Sequence, residues 1–177
     1  EVLQLSHCHD TSTTEADYFD IIKRKTGQLF AVASSCAPIL MGLDEAVIHA
    51  SFEYGMHLGI AFQIMDDALD YDADPEKTGK NLGDDLQEGK PTLPLLYILK
   101  KGTPEQIRFT EKAITSGGVE CLDTMITTIQ ETKAIDYTRE TAKAYADEAI
   151  KHLSGLDESP AKKALADLAC FAGLHTV

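Results

Sequence analysis

The sequence contains no CxxC pair, no apolar run near the roughly 20 residues a membrane-crossing helix needs, and no basic-then-apolar opening segment. Each absence excludes a class. The four cysteines, Cys8, Cys36, Cys121 and Cys170, are scattered, so neither a disulfide framework nor a thiolate zinc centre is expected, and a reducing, cytoplasmic setting is. Cations are scarce as well: 16 Lys and Arg stand against 29 Asp and Glu, a net charge of −13. That balance repels nucleic-acid phosphates and anionic membrane surfaces, so no nucleic-acid partner is expected. A polyanionic substrate has to meet clustered lysines or bound metal. Period-two alternation is also missing, which argues against strands.

What is present reads as helix. With 44% hydrophobic residues over 177 positions, the chain can build one domain or part of one. It opens at Glu1-Val2-Leu3-Gln4-Leu5, already inside a helical pattern, as an internal segment of a longer chain would. Residues 15–35 follow Thr13, Thr14 and Glu15 as a capped amphipathic helix that Pro38 is expected to end. No proline interrupts Asp44 to Asp72, which predicts a single helix near 29 residues and roughly 43 Å long. Residues 75–91 carry Pro75, Gly79, Gly83, Gly89 and Pro91 and predict a long loop. Helical patterns resume over 93–100, 104–115, 118–132, 135–153 and 160–173.

The long helix carries the chemistry. Gln63, Asp66, Asp67 and Asp70 project within about 100° of one another, so three carboxylates share a face. Like charges so close destabilise a helix unless a cation compensates. Carboxylates without histidine or thiolate suit a hard cation, and magnesium takes one or two of them together with water and phosphate oxygens. A solvated acidic helix end is the competing reading. An EF-hand fails because Pro75 replaces its glycine and Asn81 its final glutamate. Beside the carboxylates lie Gly79-Lys80, Asp84 and Gly89-Lys90-Pro91-Thr92-Leu93-Pro94, and ammonium groups act as point charges for phosphate. A P-loop is excluded by the spacing of Gly83 and Gly89 and by Pro91 where serine or threonine belongs. His7-Cys8-His9-Asp10 is too contiguous to converge on one ion, and His49, His57 and His152 read as structural residues without partners. Phe52, Met56 and Gly59 continue the Gln63 face as an apolar stripe, read as core packing ahead of a tunnel wall.

Phe62-Gln63-x-x-Asp66-Asp67-x-x-Asp70, followed by Gly79-Lys80, Asp84 and Gly89-Lys90-x-Thr92-Leu93-Pro94, closely resembles the second aspartate-rich region of trans-isoprenyl diphosphate synthases. Lys25-Thr26-Gly27 resembles that family's lysine-threonine motif, and Glu1–Leu5 with Thr13–Tyr18 resemble medium- and long-chain members. The resemblance spans essentially the whole chain and implies an all-α isoprenoid-synthase bundle, here its C-terminal part. It implies Mg2+ on Asp66, Asp67 and Asp70, with Asp84 behind them. Lys25, Lys80 and Lys90 would hold the diphosphate, and Thr26 and Gln63 would turn dipoles toward an allylic cation. The implied substrates are an allylic diphosphate and isopentenyl diphosphate, and the implied assembly is a homodimer. The first aspartate-rich motif is absent, so this stretch alone should be inactive and should expose an apolar face where further helices pack. A non-catalytic prenyl-diphosphate-binding or regulatory subunit is the alternative. A terpene cyclase fits less well, because its second metal motif is of a different type.

Overall fold

The computed structural model describes residues 1–72, 82–118 and 121–174. Every regular element among them is helical, and the helices fall close to the expected ranges. They are α1 (Val2–Ser6), α2 (Glu15–Ile22), a π-helical turn (Lys23–Gly27), α3 (Gln28–Leu40) and α4 (Glu45–Asp72). The remainder are α5 (Asp84–Gln87), α6 (Leu93–Lys101), α7 (Pro104–Ser116), α8 (Leu122–Thr132), α9 (Ala134–Lys151) and α10 (Pro160–Leu174).

Three details differ from the sequence expectation. The helix expected over 15–35 is split by the π turn, where the Gln28 N–H donates to the Lys23 carbonyl five residues back. Such a bulge adds a residue without disturbing the apolar periodicity, so the pattern does not announce it. Pro38 does not end α3 but sits in its last turn, where only the bond to Ser34 is lost before the helix stops at Leu40. Its carbonyl still accepts the Leu43 N–H at 3.0 Å. Within the expected loop, Asp84–Gln87 forms the short α5.

The chain divides into two compact units. The first comprises Glu1–Ile21 and Asp66–Thr138. There α6 packs against α7 and α8. It starts with Pro94 in its first turn and ends on Lys100 and Lys101, the ends that proline's missing N–H and the helix dipole favour. Leu93, Leu95, Ile98, Ile114, Met125 and Ile129 are essentially fully buried. Each such side chain contributes about 1.5–3 kcal/mol of transfer free energy. Thr103 and Gln106 form a reciprocal capping box that starts α7, with N–H···O distances of 2.9 and 3.3 Å.

The second unit comprises Ile22–Met65 and Arg139–Val177. Its core gathers Tyr54, Leu58, Ala149, Leu153, Ala169 and Ala172, and the buried Tyr54 hydroxyl donates to the Leu165 carbonyl at 2.9 Å. The π turn and α3 cross α4 through glycines. A Cβ on Gly55 would lie 2.4 Å from the Phe30 carbonyl oxygen, one on Gly59 2.9 Å from the Gly27 Cα, and one on Gly27 2.8 Å from Met56 Sδ. Met56 is thereby a packing residue, as read. His57 and His152 are not isolated as the sequence suggested: their ring centroids are 5.2 Å apart. Around α3, Leu29, Val32, Ile39, Leu40 and Met41 stand 46–86% exposed.

Candidate functional site

Asp66, Asp67 and Asp70 end α4 in the first unit, and each carboxylate has its own surroundings. Asp67 is only 4% exposed, and the buried Tyr18 hydroxyl donates to its Oδ2 at 2.7 Å. Burial, and then the neighbouring Asp67 charge, push the Tyr18 phenol well above its ordinary range, so it remains a donor. Asp70 works against α5. Its Oδ1 accepts the Asp84 N–H and its Oδ2 the Asp85 N–H, both at 3.1 Å, while its carbonyl accepts the Gly83 N–H at 2.8 Å. Burial and the Asp85 charge push the Asp70 carboxyl up to about 7, although the two N–H donors pull it down. Asp66 is half-buried beside them.

Asp84 meets Asp70 through its backbone, and its side chain is exposed. Its neighbour Asp85, passed over in the sequence, is the electrostatic partner: it lies beside Asp70 and takes the Lys90 ammonium at 3.2 Å. Lys90 also pairs with Glu88 at 2.7 Å, and these carboxylates raise its basicity against the opposing effect of burial. Lys80 and Gly79 lie outside the described residues.

Gly89 has a backbone reason for its identity. Its φ is +68°, and a Cβ there would fall 2.2 Å from His9 Nδ1. His9 donates its backbone N–H to the Gly89 carbonyl at 2.7 Å, and its ring meets the Ile114 carbonyl at 2.9 Å. His7 instead meets the Thr13 hydroxyl at 3.0 Å. The two rings of the His7–Asp10 stretch thus turn to different partners.

In the second unit the glycine crossing presents the Lys25-Thr26 motif on the π turn. The Thr26 hydroxyl donates to Gln63 Oε1 at 2.7 Å, with Gln63 7% exposed. Lys25 is half-buried on the same turn. The close backbone approach at Gly27 and Gly59 is what allows a short threonine to reach the glutamine.

The donor set on α4 fits a hard divalent cation such as Mg2+. All three candidates offer oxygen, and the Asp70 carboxyl is raised first by burial and then by the Asp85 charge, both of which a bound cation would offset. Tyr18 and Asp85 were missed in the sequence because neither belongs to a spaced motif. Tyr18 reaches Asp67 across 49 positions.

Comparison with known proteins finds relatives over almost the whole chain. The polyprenyl synthetase family model matches residues 1–131. Octaprenyl diphosphate synthase of Escherichia coli (strain K12) is 43% identical over 173 residues, 97% of this chain and 54% of the relative. The octaprenyl diphosphate synthase of Haemophilus influenzae is 44% identical over 170 residues, 96% of this chain and 52% of the relative. A crystal structure of polyprenyl synthase from Caulobacter crescentus CB15, complexed with calcium and isoprenyl diphosphate, superimposes with a TM-score of 0.91 at 40% identity. That match covers 97% of this chain and 53% of the other. The chain spans about half the length of the curated relatives it matches.

Proposed function

The chain belongs to the polyprenyl synthetase family, and on that premise we propose that it serves an all-trans polyprenyl diphosphate synthase, contributing one of the enzyme's two metal-binding faces. The reaction is condensation of isopentenyl diphosphate with an allylic diphosphate: the allylic carbon–oxygen bond ionises with departure of diphosphate, the isopentenyl double bond attacks the allylic carbon, and the released diphosphate takes up the proton that is lost. The octaprenyl relatives favour a long product. The observation that carries the reading is the oxygen-only carboxylate group on α4, held by Tyr18 and by the N–H groups of α5.

Asp66, Asp67 and Asp70 would hold Mg2+, which would supply the positive charge that lets the diphosphate depart; calcium and isoprenyl diphosphate in the Caulobacter relative support a metal-assisted reaction. Tyr18 fixes the direction of one Asp67 oxygen. Asp70 ties α5 to the end of α4, so that the loop bearing Lys90 starts from a fixed point. Lys25 and Lys80 bind the diphosphate by charge, and Lys90 joins them only by exchanging its ties to Asp85 and Glu88. The Thr26 hydroxyl, having donated its proton to Gln63, keeps lone pairs for a developing cation, and such fixed dipoles are commonly the largest catalytic contribution. The whole protein is proposed to be a cytoplasmic homodimer.

The test is to express the complete reading frame and follow labelled isopentenyl diphosphate into product with geranyl or farnesyl diphosphate as primer. The expected result is Mg2+-dependent elongation that EDTA abolishes and that Asp66→Asn lowers at least about 100-fold, the magnitude typical of losing a positioned charge. Tight binding of prenyl diphosphate with no elongation would instead establish a binding subunit.

A further inference from the structure

Away from the aspartate-bearing end of α4, two of the second unit's three Glu-x-x-x-His pairs converge. Glu53 and His57 stand one turn apart on α4, while Glu148 lies in the last turn of α9 and His152 in the turn just past its end. The two histidines bring these pairs together. Their rings are 5.2 Å apart and tilted by 31°, and Tyr145 flanks His57 on α9 at 5.9 Å. One ligand atom from each of Glu53, His57 and His152 lies within 4.8 Å of the others. Donors at about 2.0–2.2 Å from a tetrahedral ion stand about 3.3 Å apart, so modest side-chain rotation closes the group on a single ion.

The hydrogen bonding suits ligation. His57 Nδ1 lies 2.8 Å from the Glu53 backbone carbonyl, an acceptor, and 3.8 Å from Glu53 Oε2, so Nδ1 carries the proton and ligation falls to Nε2 once the Glu53 carboxylate turns away from Nδ1. A backbone carbonyl behind one ring nitrogen is the usual device that orients a histidine for metal. The site is reachable: Glu53 and His57 are 29% and 21% exposed. His57, Tyr145 and Glu148 border a surface cavity of about 210 Å3, which has room for water in the coordination shell. Two imidazoles with a carboxylate favour a borderline transition cation over the hard Mg2+ proposed for α4.

We propose that Glu53, His57 and His152 form a second metal site, for a divalent transition cation of the Zn2+ class, with Glu148 or water as the fourth ligand. Occupancy ties α4 to α9 within this unit. The proposal does not depend on prenyl transfer.

The test uses untagged, chelator-treated protein titrated with Co2+ as a spectroscopic stand-in, then competed with Zn2+. The expected result is one saturable equivalent with the visible absorption of four- or five-coordinate Co2+, displaced by Zn2+, and a higher thermal midpoint with Zn2+ bound. His57→Gln and His152→Gln should each weaken binding at least about tenfold, whereas the Asp66→Asn, Asp70→Asn double variant should leave the absorption intact. Absence of saturable absorption in the unaltered protein overturns the proposal without recourse to any variant. So does absorption that survives both histidine changes, or that disappears with the aspartates.

Discussion

At the scale of single residues, the Tyr18–Asp67 bond joins two side chains that are each only 4% exposed, where water cannot replace a lost donor. Hydrogen bonds to charged groups contribute about 1.5–3 kcal/mol, so Tyr18→Phe should lower unfolding free energy by about that amount. Urea denaturation at neutral pH checks it, and a change below about 0.5 kcal/mol would mean that the hydroxyl contributes little. Glu15 provides a pH-dependent case. Burial alone would raise its carboxyl, yet the Tyr137 hydroxyl at 2.5 Å and the Lys100 ammonium at 2.9 Å hold it below the usual value of 4.5. A carboxyl lowered in the folded state stabilises above its unfolded value, and that contribution is lost as pH falls through the folded one. Urea midpoints followed from pH 6 to pH 3 should therefore fall less steeply for Glu15→Gln than for the native chain.

At the scale of elements, the crossing of α3 and α4 sets two opposed effects against each other. Replacing a helix-interior glycine by alanine gains up to about 1 kcal/mol in helix propensity. At Gly55, however, the added Cβ would meet a backbone carbonyl at 2.4 Å, which cannot swing aside like a side chain. Overpacking of this kind costs about 1–3 kcal/mol, so Gly55→Ala should be net destabilising and should lower the thermal midpoint. The same change at Gly155, where nothing lies within 4 Å, serves as the neutral control. For α5, the test is Asp70→Ala. It removes both carboxylate acceptors of the Asp84 and Asp85 N–H groups, and hydrogen exchange of the 82–90 segment should quicken by about tenfold or more. Exchange unchanged from the native rate would show that α5 is held by other contacts.

At the scale of the whole chain, the exposed apolar residues around α3 form more unpaired surface than single scattered side chains do. Isolated as these 177 residues, the protein should bind a hydrophobic dye and self-associate on sedimentation. The pair Leu29→Lys, Leu40→Lys should reduce both signals. A monomer that leaves the dye dark would show that this surface is of no consequence in solution.

Much was legible in advance. Glycine and proline punctuation with a 3.6-residue apolar period set α4 to within a residue of its observed ends, and the ranges from α6 to α10 to within a few. The carboxylate face followed from helix geometry alone, because residues three and four apart share a side whatever surrounds them. Partners were not legible. Thr26 meets Gln63 across 37 positions and Tyr18 meets Asp67 across 49, and His57 comes to lie against His152. Local pattern encodes which face of a helix is apolar or acidic, and the sequence by itself determined that much: an all-helical chain with its acidic group at the end of its longest helix. Which faces meet, and at what register, depends on where backbones can approach, as at Gly27, Gly55 and Gly59. Only the tertiary structure decided that, because the steric fit of one helix on another is a property of the pair.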